Sequence, residues 1–375
     1  MLKNAYGEDL IPRTQQELNT ALAAHERYVA YQGGKRAQLS HAKLDGLNLA
    51  NRTLKEADLS GASLVGATLY GSNLELASLY CADLRGCNLQ AANLTRADLR
   101  GASLKGACLS YAVLDGADLR AATMMYIRPD HVSVLDRNQN REGGSVSTAT
   151  GVDFTNSSLK HASFGSAKLD GVNFTGALLE GAKFKGAQVK NATFTGAVLT
   201  GVDLNDLDVP AEVLADCVTD TTPEAKAKTP TLMASLAAHQ DWISGSGKAT
   251  EPAVFDVEDL RPLKRELAGR VLSALSLRNT IAIGLDFSGC HLQAAKFDGA
   301  DLRDADFSNA DLRGASFKGA KLAHACFDGA NLGRLTMASG TVIKPDFTGS
   351  DAIVEQFLSA HLDDPLSSLG LANAR

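Results

Sequence analysis

Ala57-Asp58-Leu59-Ser60-Gly61-Ala62-Ser63-Leu64-Val65-Gly66-Ala67-Thr68-Leu69-Tyr70-Gly71 decides the fold, because a leucine stands at every fifth position. The register runs without exception from Leu39 to Leu119, seventeen leucines in all. A small residue, such as Ala57, Ala62, Ala67, Ala97, Ala102, Ala107 or Ala117, stands two places before most of them, so the unit reads A-[D/N/S]-L-x-x. That period suits neither a helix, whose face recurs about every 3.6 residues, nor a strand, whose face recurs about every 2. The chain must turn every five residues.

Residues 37–121 in this pattern resemble the pentapeptide repeat family. The resemblance implies an all-β solenoid, a right-handed quadrilateral β-helix. Four pentapeptides make one square turn, with the central Leu or Phe and the small residue two before it pointing inward. Packing agrees, since one large and one small residue per side fill a narrow interior densely. Gly61, Gly66, Gly71 and Gly101 permit tight corners. At about 4.8 Å per turn, seventeen units make roughly four turns and about 20 Å of rod.

Before the array, Thr14-Gln15-Gln16-Glu17 is a capping box. Leu18, Leu22, Ala23, Tyr28 and Val29 follow at helical spacing up to Gly33-Gly34, so residues 15–31 are predicted to be a helix capping the open end of the solenoid. Residues 125–150 lose the repeat and read as a projecting loop, with Arg128, His131, Asp136, Arg137 and Arg141 as candidate partner-binding residues. Pentapeptides resume over 152–206, from Phe154 to Leu204. Phe154 lies thirty-five residues after Leu119, a multiple of five, which is either chance or the mark of one rod left and re-entered. In this second array Phe and Leu alternate, which predicts stacked phenylalanine columns on two opposite faces.

The composition turns to Pro, Thr, Asp and Lys over 205–231, with a short helix expected at Pro210–Cys217. The chain then repeats its own beginning, because Leu232 to Ile243 aligns with Leu18 to Val29 without a gap and pairs His239 with His25. A duplicated module is the economical account. The expected domains are 1–208, a linker over 209–231, and 232–375. In the second module Phe255 and Leu260 look like two units, Pro262 to Val271 breaks phase, and the register runs from Leu272 to Leu332 with Val342 and Phe347 also in it. Asp351–Leu362 is predicted to be an amphipathic helix whose Ile353, Phe357 and Leu358 pack on the last turn or form a homodimer seam.

Composition excludes several classes. The 375 residues are 45% hydrophobic but only 6% aromatic, which suits a Leu/Ala core, and a net charge of -6 names no partner. The N-terminus has acids and no apolar core of a signal peptide, and no run reaches the length of a membrane span, so cytoplasmic residence and no membrane contact are expected. Six cysteines show no paired spacing. Cys87 and Cys290 occupy the small inward slot, whereas Cys108 and Cys326 fall where side chains face out.

No motif for catalysis, cofactor or metal is present, and none is expected. Gly245-Ser-Gly-Lys248 is a helix stop rather than a phosphate loop. His25 and His239 each orient a helix against the first turn, and the Asp and Asn residues before central positions bond to nearby turn backbone. Some proteins of the resembled family mimic duplex DNA and protect topoisomerases from quinolones. Residues 37–121 here carry eight bases against eight acids, residues 152–206 five of each, and residues 286–328 of the third array seven acids against five bases. A duplex carries one negative charge per about 1.7 Å. The leading function is therefore a non-enzymatic scaffold for an unknown protein partner. A DNA-mimic modulator of a type II topoisomerase is the alternative, and an enzyme with a site between the modules a distant third. Direct nucleic-acid binding is not expected.

Overall fold

The computed structural model describes residues 9–120, 127–128, 131–132, 151–245, 251–264 and 266–371. They divide into two compact units, Met1–Asp220 and Thr221–Arg375.

In the first unit, strand β1 (Ile11–Pro12) precedes helix α1 (Gln15–Val29) and pairs in parallel with β2 (Ala42–Lys43). Thr14 and Glu17 form the capping box, and Leu18, Leu22 and His25 recur on one buried face. Leu18 and Leu22 join the same core as Leu39, Leu44 and Leu49. Gln15 exchanges two bonds with the Asn48 backbone, at 2.9 and 2.8 Å, and Glu26 holds Arg52 at 2.7 and 3.0 Å.

From Gln38 onward, parallel bridges join residues twenty apart: Gln38 to Asp58, Lys43 to Ser63, Asn48 to Thr68, Thr53 to Asn73, then their successors. Four bridges per turn mean four short sides. Central N–H groups donate one turn on, as Leu39 does to Asp58 at 2.7 Å and Leu54 to Asn73 at 2.6 Å, and a corner bond such as Ala42 N to Leu39 O at 3.1 Å closes a side. The backbone is thereby satisfied without long strands. Every central leucine from Leu39 to Leu119 is buried. The corner residue two places later has positive φ whether it is Gly46 (67°), Gly61 (64°), Asn51 (56°) or Glu56 (62°). The conformation costs a residue with a Cβ about 1–2 kcal/mol, so the ladder bonds on either side must impose it. Asn corners reach over the glycine of the next turn: a Cβ at Gly176 would lie 2.1 Å from Asn156 Oδ1.

Cys108 pairs with Asp153, Val113 with Ser158 and Asp118 with Ser163, a separation of 45 residues where twenty is the rule. The additional 25 are a whole number of pentapeptides, so the register survives, and one core runs from Leu18 to Leu207. The phenylalanine columns form as expected. Phe154 stacks on Phe174 at 5.4 Å, Phe174 on Phe194 at 5.1 Å, and Phe164 on Phe184 at 4.8 Å. The array ends earlier than the sequence implied. Leu204 is 38% exposed, because Asp203 accepts from the Asn205 N–H and starts a 3-10 turn, Leu204–Asp206. The stretch 209–231 is not plain linker. Ala211–Leu214 is a 3-10 turn, Val213 and Leu214 pack on the core, and Val218 bridges Val198.

The second unit opens with α2 (Pro223–Ala227) and α3 (Thr229–Ile243), which buries Leu232, Leu236 and His239. Its first bridges, Val254 to Ser276 and Asp259 to Ile281, span 22 residues; a 3-10 turn, Arg261–Leu263, lies within that span. Twenty-residue turns follow, with Phe287, Phe307 and Phe327 stacked at 5.0 and 5.2 Å. Ser316 then pairs with Asp346 and Asn331 with His361, 30 apart. The ten extra residues hold the antiparallel pair β5 (Leu335–Thr336) and β6 (Val342–Ile343). Val342 is therefore exposed in a hairpin rather than central, while Phe347 is buried.

The amphipathic helix over 351–362 does not form. A single 3-10 turn, Val354–Phe357, stands there, and His361 continues the ladder. Phe357 is buried against Phe327 and Phe347, at 4.8 and 5.0 Å, and Gln356 donates to the carbonyls of Leu322 and Ala325. Capping the core outweighs helical periodicity, so the three residues make no continuous apolar strip: Ile353 is half-buried and Leu358 is 74% exposed.

Leu84→Asp places a charge in a dry core where Leu84 is fully buried. We expect a loss of several kcal/mol, seen as a large drop in thermal midpoint, and an unchanged midpoint would contradict the inward packing. Gly176→Ala combines positive φ with the Asn156 contact. It should lower the unfolding free energy of the first unit by roughly 1–3 kcal/mol, measured by denaturant unfolding.

Candidate interaction surfaces

Outward polar side chains are mostly occupied by their own turn. Asp58, Asn73, Asn88, Asn93 and Asp98 each accept from the N–H two residues on, at 3.0–3.1 Å, as the Asx reading expects. Where the unit reads D-L-R the arginine folds back onto the aspartate: Arg85 on Asp83 at 2.8 and 2.7 Å, Arg100 on Asp98 at 2.8 and 2.7 Å, Arg120 on Asp118 at 2.9 and 2.6 Å. These bidentate pairs cancel charge within the rung, and partial exposure keeps each worth little in stability.

Two cavities flank α1. One of about 380 Å³ is lined by Tyr28, Val29, Tyr31, Gly33, Gly34, Lys55 and Glu56. The other, of about 430 Å³, includes Arg13, Glu17, Lys35 and Arg36. Tyr31 is 97% exposed, and Lys55 is held by Glu75 at 2.9 Å. An aromatic lip beside a paired lysine can receive a side chain of a partner. Among the described residues no group of three or more His, Cys, Asp or Glu is placed to hold a metal.

The hairpin β5–β6 was missed by sequence reasoning, although Gly333 precedes it and Gly340 lies in its turn. Its base packs tightly, since a Cβ at Gly314 would lie 3.0 Å from Leu335 Cβ and 3.3 Å from Ile343 Cβ. Arg334 and Lys344 both pair with Asp364 and draw its carboxyl down to about 2. Met337 and Val342 are left exposed.

The sequence model of pentapeptide repeats matches residues 35–71, 54–90, 82–120, 147–176, 173–208, 272–309 and 295–334, more than half of the chain. The chain belongs to the pentapeptide repeat family. Similar solved structures include HetL of the cyanobacterium Nostoc sp. strain PCC 7120, involved in heterocyst differentiation regulation, at 20% identity over 87% of this chain and 98% of that one, with a TM-score of 0.17. A pentapeptide repeat protein of the Arabidopsis thaliana thylakoid lumen is 18% identical over 49% and 72%, with a TM-score of 0.21. Full-length QnrB1, a plasmid-mediated fluoroquinolone resistance protein, is 20% identical over 70% and 85%, with a TM-score of 0.20. Superpositions at these TM-scores carry no argument, and the family assignment rests on the repeats. No curated protein matches the chain significantly.

In this pentapeptide repeat protein, β3 (Ile127–Arg128) pairs antiparallel with β4 (His131–Val132), which sets Arg128 opposite His131. Asp136, Arg137 and Arg141 lie outside the described residues. Among the described residues no helix is long and apolar enough to cross a membrane. Cys87 and Cys290 are buried, donate to the carbonyls of Leu64 and Leu267 at 2.8 and 2.9 Å, and have thiols pushed up to about 12 and about 11 by burial.

His25 and His239 stand at equivalent points. Each is fully buried, and its Nδ1 accepts from the backbone N–H of Ala37 at 3.0 Å or Ala253 at 3.1 Å. They orient the helices against the first turns. Burial lowers the pKa of both, so the folded state favours neutral imidazole. Their stabilisation is complete above the unfolded value near 6.5 and is lost as pH falls from there through the lowered folded values. Thermal midpoints from pH 7.5 to 4.5 should fall less in a His25→Gln/His239→Gln variant than in wild type, because glutamine keeps an acceptor and does not titrate.

Proposed function

We propose that this pentapeptide repeat protein is a non-enzymatic scaffold. Two right-handed quadrilateral β-helical modules, closed by helices α1 and α3, hold loops in fixed positions for a protein partner. The observation that supports this is the pair of insertions, 25 and ten residues long, across which the bridges keep their register. A rigid rung on each side of an insertion is what a displayed binding loop needs. Arg128, His131, Asp136, Arg137 and Arg141 in the first excursion and Met337 and Val342 in the second are the proposed contacts. The C-terminal segment is left out of the binding surface, since Phe357 is enclosed.

Affinity purification with mass spectrometry from the source cells, comparing wild type with a chain lacking residues 123–147, tests the scaffold. The excised 25 residues keep the register, so the thermal midpoint should hold while specific partners disappear. An identical partner set would reject the first loop as the binding element.

DNA mimicry remains the second reading, favoured by the seven acids against five bases over residues 286–328 of the third array. Against it stand the arginines folded onto their own aspartates, as Arg313 is onto Asp311 at 2.9 and 2.7 Å. Supercoiling by DNA gyrase is expected to be unaffected by the titrated protein at low salt. Salt-sensitive inhibition or quinolone protection would promote the mimic.

A further inference from the structure

The two units begin alike. Ala37 and Ala253 donate to the equivalent histidines, Leu39 and Phe255 fill the first central position, and His41 and Val257 take the first corner at φ 55° and 63°. Residues 37–43 therefore correspond one by one to residues 253–259, with Lys43 matching Asp259. In the first unit the free edge of that turn is covered. Ile11 donates to the carbonyl of His41 at 2.9 Å and Arg13 to that of Lys43 at 3.3 Å, so β1 lies along β2 as an added parallel strand.

In the second unit the chain enters α3 through α2 instead of a strand. Among the described residues no donor meets the carbonyls of Val257 and Asp259, and no acceptor meets the Asp259 N–H. Where the first unit has Gln38 and His41, the second has Val254 and Val257, 64% and 74% exposed. A row of unpaired backbone groups flanked by exposed apolar side chains is a template for strand addition.

We propose that the edge Val257–Asp259 takes up an extended segment of a protein partner as a parallel strand, in the way the first unit takes up β1. This deepens the scaffold function and rests on it. Main-chain bonds supply the affinity, so selectivity falls on the flank. Val254 and Val257 favour apolar side chains. Lys228 and Arg261 already balance Glu258 and Asp259 at 2.6 and 2.7 Å, while among the described residues Asp256 meets only the Ser276 hydroxyl and the Arg278 N–H. One carboxylate is thus left to favour a basic residue. The segment Leu10-Ile11-Pro12-Arg13, which fits the equivalent edge, has that composition.

The test uses the full chain and a labelled peptide of sequence Asp9–Thr14, with amide hydrogen exchange as the readout. Saturating peptide should slow the Asp259 amide at least tenfold and leave Lys43, already covered by β1, unchanged. A Val254→Lys/Val257→Lys variant should bind at least tenfold more weakly at an unchanged thermal midpoint. No slowing at millimolar peptide would overturn the proposal. So would an Asp259 amide already slow in the free protein, which means this chain covers its own edge. A mass that rises with concentration in light scattering and is reversed by the peptide would make a second copy the occupant, and would also overturn it. None of these outcomes touches the loop-excision experiment, so failure here is distinct from failure of the scaffold.

Discussion

The hydrogen bond from each central N–H to a carbonyl one turn further on is the interaction on which everything else depends. It recurs at 2.6–2.8 Å from Leu39 through Leu99 and restarts beyond the insertion. Because the donor and acceptor lie nineteen residues apart, as Leu39 and Asp58 do, four five-residue steps must close in space before any bond forms. That closure forces a corner every fifth residue and accounts for positive φ at Asn51, Glu56 and Leu76 as well as at glycines. The penalty at each such corner is about 1–2 kcal/mol and is offset by the bonds and by burial of one large side chain per step.

The same constraint explains what the fold tolerates. An insertion costs little loop-closure free energy if it restores the register, since that cost grows only slowly with length. The 25-residue and ten-residue excursions satisfy this condition. The two-residue excess around Arg261–Leu263 does not, and it occurs in the first turn of the second unit, with fewer ladder bonds to disturb. Turns that keep their register across an insertion give loops fixed ends, the arrangement that recognition needs.

Much was legible without coordinates. The inward leucines, the phenylalanine columns, the capping box of α1 and the bonding role of outward Asp and Asn follow from residue type and spacing, because each depends on neighbours at most one turn away. The equivalence of His25 and His239 was also visible as a duplicated string, while their role came from the bonds each Nδ1 accepts from the backbone of Ala37 or Ala253.

Periodicity misled where the ends of the rod compete with it. Leu204 and Val342 sit in perfect register yet are exposed, and Phe357 was assigned to a helix although it closes a column. A terminal residue has no next turn to bond, so local turns and the need to cover the last core layer decide its conformation, and neither is encoded in a five-residue pattern. The candidate surfaces belong to the same class. Sequence alone determined that the chain winds in twenty-residue turns around a Leu, Ala and Phe core, because that period is short-range and repeated. Only the tertiary structure decided that ten residues leave the second ladder as a hairpin, that arginines fold onto their own aspartates, and that one first turn is covered by a strand while its duplicate, among the described residues, is not. Each of those outcomes depends on which backbone groups meet across the fold, and that is a property of three-dimensional closure.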